Sequence, residues 1–171
     1  MFGLFKKDVI EHPALGPLTK KGREWIGEIS LIPDRPILLQ IEGNKEGPHP
    51  AAVMMAVQLP TKLPELQPTI ARALLEHLEP YQDALADPNL GYAEMHEEPD
   101  DAATIAAIRT PDQAWNAAFF AGVGISMDGD KVRLLLGIRV IWDVEHTLGA
   151  DFDGWDFVEL NGSIRGGSGY R

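Results

Sequence analysis

Residues Lys131 to Asp143 alternate with a period of two. Val132, Leu134, Leu136, Ile138, Val140 and Trp142 fall on one side of an extended chain. Lys131, Arg133, Leu135, Gly137, Arg139, Ile141 and Asp143 fall on the other. A strand that buries one face and wets the other gives this pattern, and antiparallel sheets are its usual setting. A strand this long needs partners. Phe119 to Met127 precedes it across the tight-turn signal Asp128-Gly129. Trp155 to Leu160 comes after it, beyond a turn over Asp151 to Gly154. The unit expected here is a C-terminal three-strand meander, its central strand ending in the ionisable group Asp143, Glu145 and His146.

The N-terminal part reads as strands too. Leu15 and Leu18 flank a bend at Gly16-Pro17, and Lys20 to Arg23 is a basic turn containing Gly22. In the stretch Trp25 to Ile32, Trp25, Gly27, Ile29 and Leu31 share one face. Pro33-Asp34-Arg35-Pro36 is a turn signal, and Ile37 to Glu42 returns as the second strand of an antiparallel pair.

The middle is helical. Ala51 to Leu59 fits a helix by its Ala and Met content and a buried strand by its uniform apolarity; Pro60 closes it and Pro64 interrupts the residues after it. The spacing predicts a helix over Pro68 to Glu79, with Pro68 at the first position and Ile70, Leu74, Leu75 and Leu78 on one stripe. Pro80 ends or kinks it, while Tyr81 and Leu85 keep its phase; His77 lies at the stripe's boundary. Asp87 to Asp101 reads as an irregular, solvated acidic link with Glu94, Glu97, Glu98, Asp100 and Asp101. Ala102 to Ile108 is a short helix. Thr110 caps another, with Pro111 at its first position.

Strands, then helices, then strands indicate an α+β fold with an antiparallel sheet and helices packed on one face. A chain of 171 residues fits a single domain. The expected division is a flexible segment over 1–12, one domain over 13–162 and a flexible Gly/Ser-rich tail over 163–171.

Composition narrows the function. The net charge of −11 argues against nucleic acid, whose phosphates need Lys and Arg, and fits either a basic protein partner or an acidic surface that only keeps the protein soluble. The absence of cysteine removes disulfides, thiolate metal sites and thiol nucleophiles, and fits a reducing cytoplasm. No stretch reaches the ~18 apolar residues of a membrane span. There is no phosphate-binding loop, and Gly122-Val-Gly124 lacks the third glycine and helix start of a dinucleotide site. No Gly-x-Ser-x-Gly elbow occurs.

Asp143, Glu145 and His146 form the densest mixture of metal-ligand and acid/base side chains. A turn starting at Val144 would bring them together. Carboxylates suit Mg²⁺ or Ca²⁺, and zinc would recruit His146 with remote partners drawn from His49, His96, Asp151 and Asp153. This is the basis for a metal-dependent hydrolase. The same residues serve structure equally well: an imidazole bonded to a carboxylate, and an Asp capping the amides of a sharp turn. Either role stays open at this point.

The run Trp142-Asp143-Val-Glu145-His146-Thr147-Leu-Gly149-Ala150 resembles the C-terminal motif of a family of small uncharacterised bacterial proteins, roughly Trp-Asp-x-Glu-His-Gly-hydrophobic-Gly-hydrophobic. Leu15-Gly16-Pro17-Leu18 and Trp25-Ile-Gly27 are similar to its N-terminal features. The resemblance spans about Leu15 to Leu160 and carries over Trp142, Asp143, Glu145, His146 and Gly149. It implies a cytoplasmic domain without an assigned reaction, and for some relatives an immunity or inhibitor role beside toxins. The chain departs from the motif at Thr147 and Ala150. A glycine with positive φ at 147 would leave Thr147 strained in its place.

Overall fold

The computed structural model describes residues 8–87, 89 and 99–164. Two meanders make one eight-stranded sheet whose spatial order follows the chain. The first comprises β1 (Val9–His12), β2 (Gly16–Lys21), β3 (Glu24–Ile32) and β4 (Arg35–Glu42). The second comprises β5 (Ala118–Asp128), β6 (Lys131–Val140), β7 (Asp143–Asp153) and β8 (Asp156–Ile164). All neighbours are antiparallel except β4 and β5, which run parallel with Leu39 opposite Val123 and Ile41 opposite Ile125. A parallel pair needs a crossover. Here it holds α1 (Pro50–Ala86), α2 (Pro99–Ala107) and α3 (Pro111–Asn116). The α+β class therefore stands, with a mixed and mostly antiparallel sheet.

The turns are built from local chemistry. Gly22, Gly129 and Gly154 take positive φ at the three hairpin turns that carry them, and Asp34 takes φ 60 at the turn between β3 and β4. Gly129 is the first residue of its two-residue loop, since Asp128 pairs with Lys131.

The C-terminal meander has four strands, not three. Alternation alone extends its central strand to Asp143, but β6 stops at Val140, and Val140 pairs with Asp143 across a turn made of Ile141 and Trp142. No glycine, proline or asparagine marks this turn; Trp142 holds it by being buried in the core. Asp143 thus opens a returning strand instead of lying further along the same face as Arg139. Strand β8 likewise runs on to Ile164, into the stretch expected to be a tail, and Val9–His12 pair with β2 inside the stretch assigned to the N-terminal segment.

The prolines do not divide the middle as expected. A single 37-residue helix runs from Pro50 to Ala86 with Pro60, Pro64, Pro68 and Pro80 inside it. All four lie on its exposed side. Each interior proline costs about 3 kcal/mol. Against this stand Met55, Leu59, Leu63, Leu66, Ile70, Leu74 and Leu78, buried at helical spacing and contributing roughly 1.5–3 kcal/mol apiece. These side chains form one core with Leu39, Ile41, Val123, Ile125, Leu134, Leu136, Ile138, Leu148, Ala150 and Phe152. Thr110 caps α3 in a reciprocal box with Gln113, as its spacing suggests. Gln82 of α1 donates to the carbonyls of Ile105 and Ile108 at 2.9 and 2.8 Å, tying the end of α2 to α1. The acidic stretch with Glu94, Glu97 and Glu98 lies outside the described residues. No helix among them is long and apolar enough to cross a membrane.

Candidate functional site

The β6–β7 connection carries an irregularity that places the candidate residues. Ile138 pairs with Leu148 and Val140 with Asp143. Only Arg139 separates these pairs on β6, whereas residues 144–147 separate them on β7. The surplus makes a bulge, and Asp143 stands at its base.

Asp143 is 7% exposed, the one buried charged residue among those described. Its Oδ1 accepts the backbone N–H of His146 at 3.2 Å and lies 2.7 Å from His146 Nδ1. Its Oδ2 accepts the Tyr81 hydroxyl at 2.7 Å. One carboxylate therefore closes the bulge on itself and fastens it to α1. Burial opposes ionisation of Asp143, but the hydrogen bonds from Tyr81 and His146, the His146 charge and its backbone N–H outweigh it and hold the carboxyl below its usual value. An ionised carboxylate only accepts, so Nδ1 of His146 carries a proton in either charge state, and in the neutral form the lone pair is on Nε2. The His146 side chain is 47% exposed.

A second bond joins the turn to the helix. Trp142 Nε1 donates to His77 Nδ1 at 3.1 Å. Indole nitrogen is a donor only, so neutral His77 carries its proton on Nε2. Burial lowers the His77 pKa and nearby His146 acts the same way, while Asp143 opposes both. His77 and Tyr81 stand one helical turn apart with ring centroids 5.4 Å from each other.

Of the five residues singled out in sequence, Trp142, Asp143 and His146 meet here. Glu145 is exposed and makes no hydrogen bond or ion pair among the described residues. Gly149 lies further along β7 between Gly137 and Asn161 and is buried. Thr147 has no positive φ; Asp34 alone does among the described non-glycine residues, so the bulge is built without a left-handed residue at 147. The remote ligands weighed for zinc are placed elsewhere. His49 caps α1 through Nδ1, Asp151 pairs with Arg133 at 2.9 Å, and Asp153 pairs with Lys131 at 2.6 Å. His96 lies outside the described residues. Among the described residues no group of three or more His, Asp or Glu is placed to hold a metal.

The sequence pattern does not single out Tyr81 and His77 as partners of this cluster. Their signal is the i,i+4 spacing of two polar-tipped rings at the edge of the apolar stripe, together with a buried Trp whose N–H needs an acceptor.

No protein-family model, curated protein or solved structure significantly matches the chain.

Proposed function

We propose that the protein is a non-enzymatic binding module, an inhibitor- or immunity-type partner of another bacterial protein in the cytoplasm. The observation that supports this reading is the engagement of Asp143: the one buried carboxylate among the described residues has both oxygens committed to the fold. The net charge of −11 favours a partner of basic overall surface. In the test, immobilised protein is offered cell lysate at about 50 and about 500 mM salt. A basic protein held at low salt, released at high salt and held equally by His146→Ala supports the reading. The absence of any salt-sensitive partner, or retention that requires His146, contradicts it.

A second reading has its own observation. A buried carboxylate fixes Nδ1 of His146 while nearly half of that side chain stays exposed, as in sites where a carboxylate orients a general base. Its metal-dependent form is a hydrolase centred on Asp143, Glu145 and His146. Metal analysis and thermal shifts with Mg²⁺, Mn²⁺ or Zn²⁺ test that form; a bound ion with a shift lost in His146→Ala favours it.

A further inference from the structure

Away from the clamp, Ile32 at the end of β3 is 43% exposed and Phe119 in β5 is 50% exposed. Two hollows meet beside them. One, about 240 Å³, includes Ile32, Arg35 and Trp115 in its lining. The other, about 870 Å³, includes Ala103, Ala107 and Ile141. Asn116 and Phe119 line both, so they form one trough from the β3–β4 turn past α3 to α2.

Three exposed arginines stand in or beside this trough. Arg35 lines it, Arg139 stands opposite Phe119 in the β5–β6 register, and Arg109 comes directly after Ile108, another lining residue. All three arginines are exposed, and none has a carboxylate within ion-pair distance among the described residues. Arg23, Lys62, Lys131 and Arg133 each have one. The acids nearest in sequence to the three arginines are Asp34 in the turn, Asp112 in the first turn of α3 and Asp143, whose oxygens are taken by Tyr81 and His146; Asp100 and Asp101 precede the lining residue Ala103 in α2. Arginine matches carboxylates in a planar, two-pronged geometry and stacks on aromatic rings. An apolar floor with Phe119 exposed and arginines at its rim is complementary to a large apolar side chain flanked by carboxylates.

We infer that the trough takes a short acidic–apolar peptide segment of a partner protein, its apolar side chain against Phe119 and Ile141 and its carboxylates on Arg35 and Arg139. This rests on the binding-module reading and names the local chemistry of its contact; a partner basic overall still presents such a segment. The net charge of −11 disfavours the other occupants. A second copy and an anionic bilayer are repelled in proportion to their own charge, whereas a segment with a few carboxylates meets the arginines within a Debye length, about 8 Å.

The test uses the full chain and a short synthetic peptide with one Phe between two Asp-Glu pairs. Matched peptides carry Lys for the acids or Ala for the Phe, and phosphatidylserine vesicles are the alternative ligand. Affinity is read by fluorescence anisotropy and location by amide chemical-shift changes. The acidic peptide is expected to bind and to shift amides of 103–119 and 139–141. Arg139→Glu, the Lys peptide and the Ala peptide are each expected to weaken binding at least about tenfold. Phe119→Ala, with its folding checked by circular dichroism, gives a second variant with the same expected loss. The inference is overturned if the acidic peptide does not bind, if the Lys peptide binds as well, if Arg139→Glu changes nothing, or if only the vesicles bind. A lysate partner still held in a salt-sensitive way by Arg139→Glu overturns the trough assignment and leaves the binding-module reading standing.

Discussion

Trp142 donates its indole N–H to Nδ1 of His77 across 3.1 Å, joining a two-residue turn to a helix 65 positions earlier in the chain. That bond sets the His77 tautomer and requires the ring to be neutral at Nδ1. Protonating His77 removes the acceptor and places charge in a partly buried position.

The pH consequence has a definite sign. The folded-state pKa of His77 is lowered, chiefly by burial. Its contribution to stability is therefore complete above the unfolded value of about 6.5 and is lost as pH falls through the folded value. Below about pH 6.5 stability should fall with a slope of at most about 1.4 kcal/mol per pH unit for this proton. His77→Asn keeps an acceptor near the Nδ1 position and removes the titration. Urea unfolding across pH 5 to 7 should then show a flatter profile than wild type in that window (roughly the span where histidine titrates).

Asp143 acts lower on the scale. Its folded pKa is depressed although burial alone would raise it. Its stabilisation is complete above the unfolded value of about 3.9 and is lost as pH falls through the folded value. Asp143→Asn should abolish this acid-limb loss and lower stability at neutral pH by about 1–3 kcal/mol. Glu145→Gln, at an exposed residue outside the clamp, should stay within about 0.5 kcal/mol of wild type. Equal losses in the two variants would show that Glu145 belongs to the cluster.

Two glycines differ in what surrounds them. A Cβ on Gly27 would meet Leu18 Cδ2 at 2.5 Å, the end of a side chain. A Cβ on Gly43 would run into the Gly47 carbonyl oxygen and meet Pro48 Cα at 2.6 Å, both backbone atoms, with Trp25 Cδ1 at 2.8 Å. Gly27→Ala should cost about 1–3 kcal/mol by displacing Leu18. Gly43→Ala should cost more, because the loop backbone into α1 must move. Thermal unfolding of the two variants checks the order.

The prolines of α1 carry a prediction of the opposite sign. Pro64 lies in the helix interior on its exposed side. Pro64→Ala restores an N–H for the Pro60 carbonyl and removes a ring clash, at the expense of a more flexible unfolded chain. The helix term is about 3 kcal/mol and the unfolded-state term up to about 1, so stability should rise by about 2 kcal/mol. Chemical denaturation measures it, and a loss would mean that the ring or the fixed φ of Pro64 stabilises the fold.

These residues also show how much a sequence conveys. The β3–β4 and β5–β6 hairpins were legible because their alternation and turn residues agree, as was Thr110 as the cap of α3. The continuity of α1 through Pro60, Pro64 and Pro68 was hidden, and Ala51–Leu59 stayed open between helix and strand, because interior prolines outweigh apolar periodicity in a local reading although they stand on the wet side. The strand β7 was hidden because its preceding turn is Ile141-Trp142, with no turn chemistry, and because the bulge over 144–147 breaks the alternation. The parallel pairing of β4 with β5 joins distant segments and leaves no local trace. At the site, Asp143 and His146 were legible only as members of a trio with Glu145, which does not join their hydrogen bonds. Tyr81 and His77 were not, because only the packing of α1 on the sheet brings them there.

Asp143 is a structural clamp that holds the β7 bulge to α1. A double-mutant cycle of Tyr81→Phe and Asp143→Asn, read by urea unfolding at neutral pH, tests it most directly. A coupling of about 1–3 kcal/mol between the two changes is expected. Additive losses, with no coupling beyond about 0.5 kcal/mol, would contradict it.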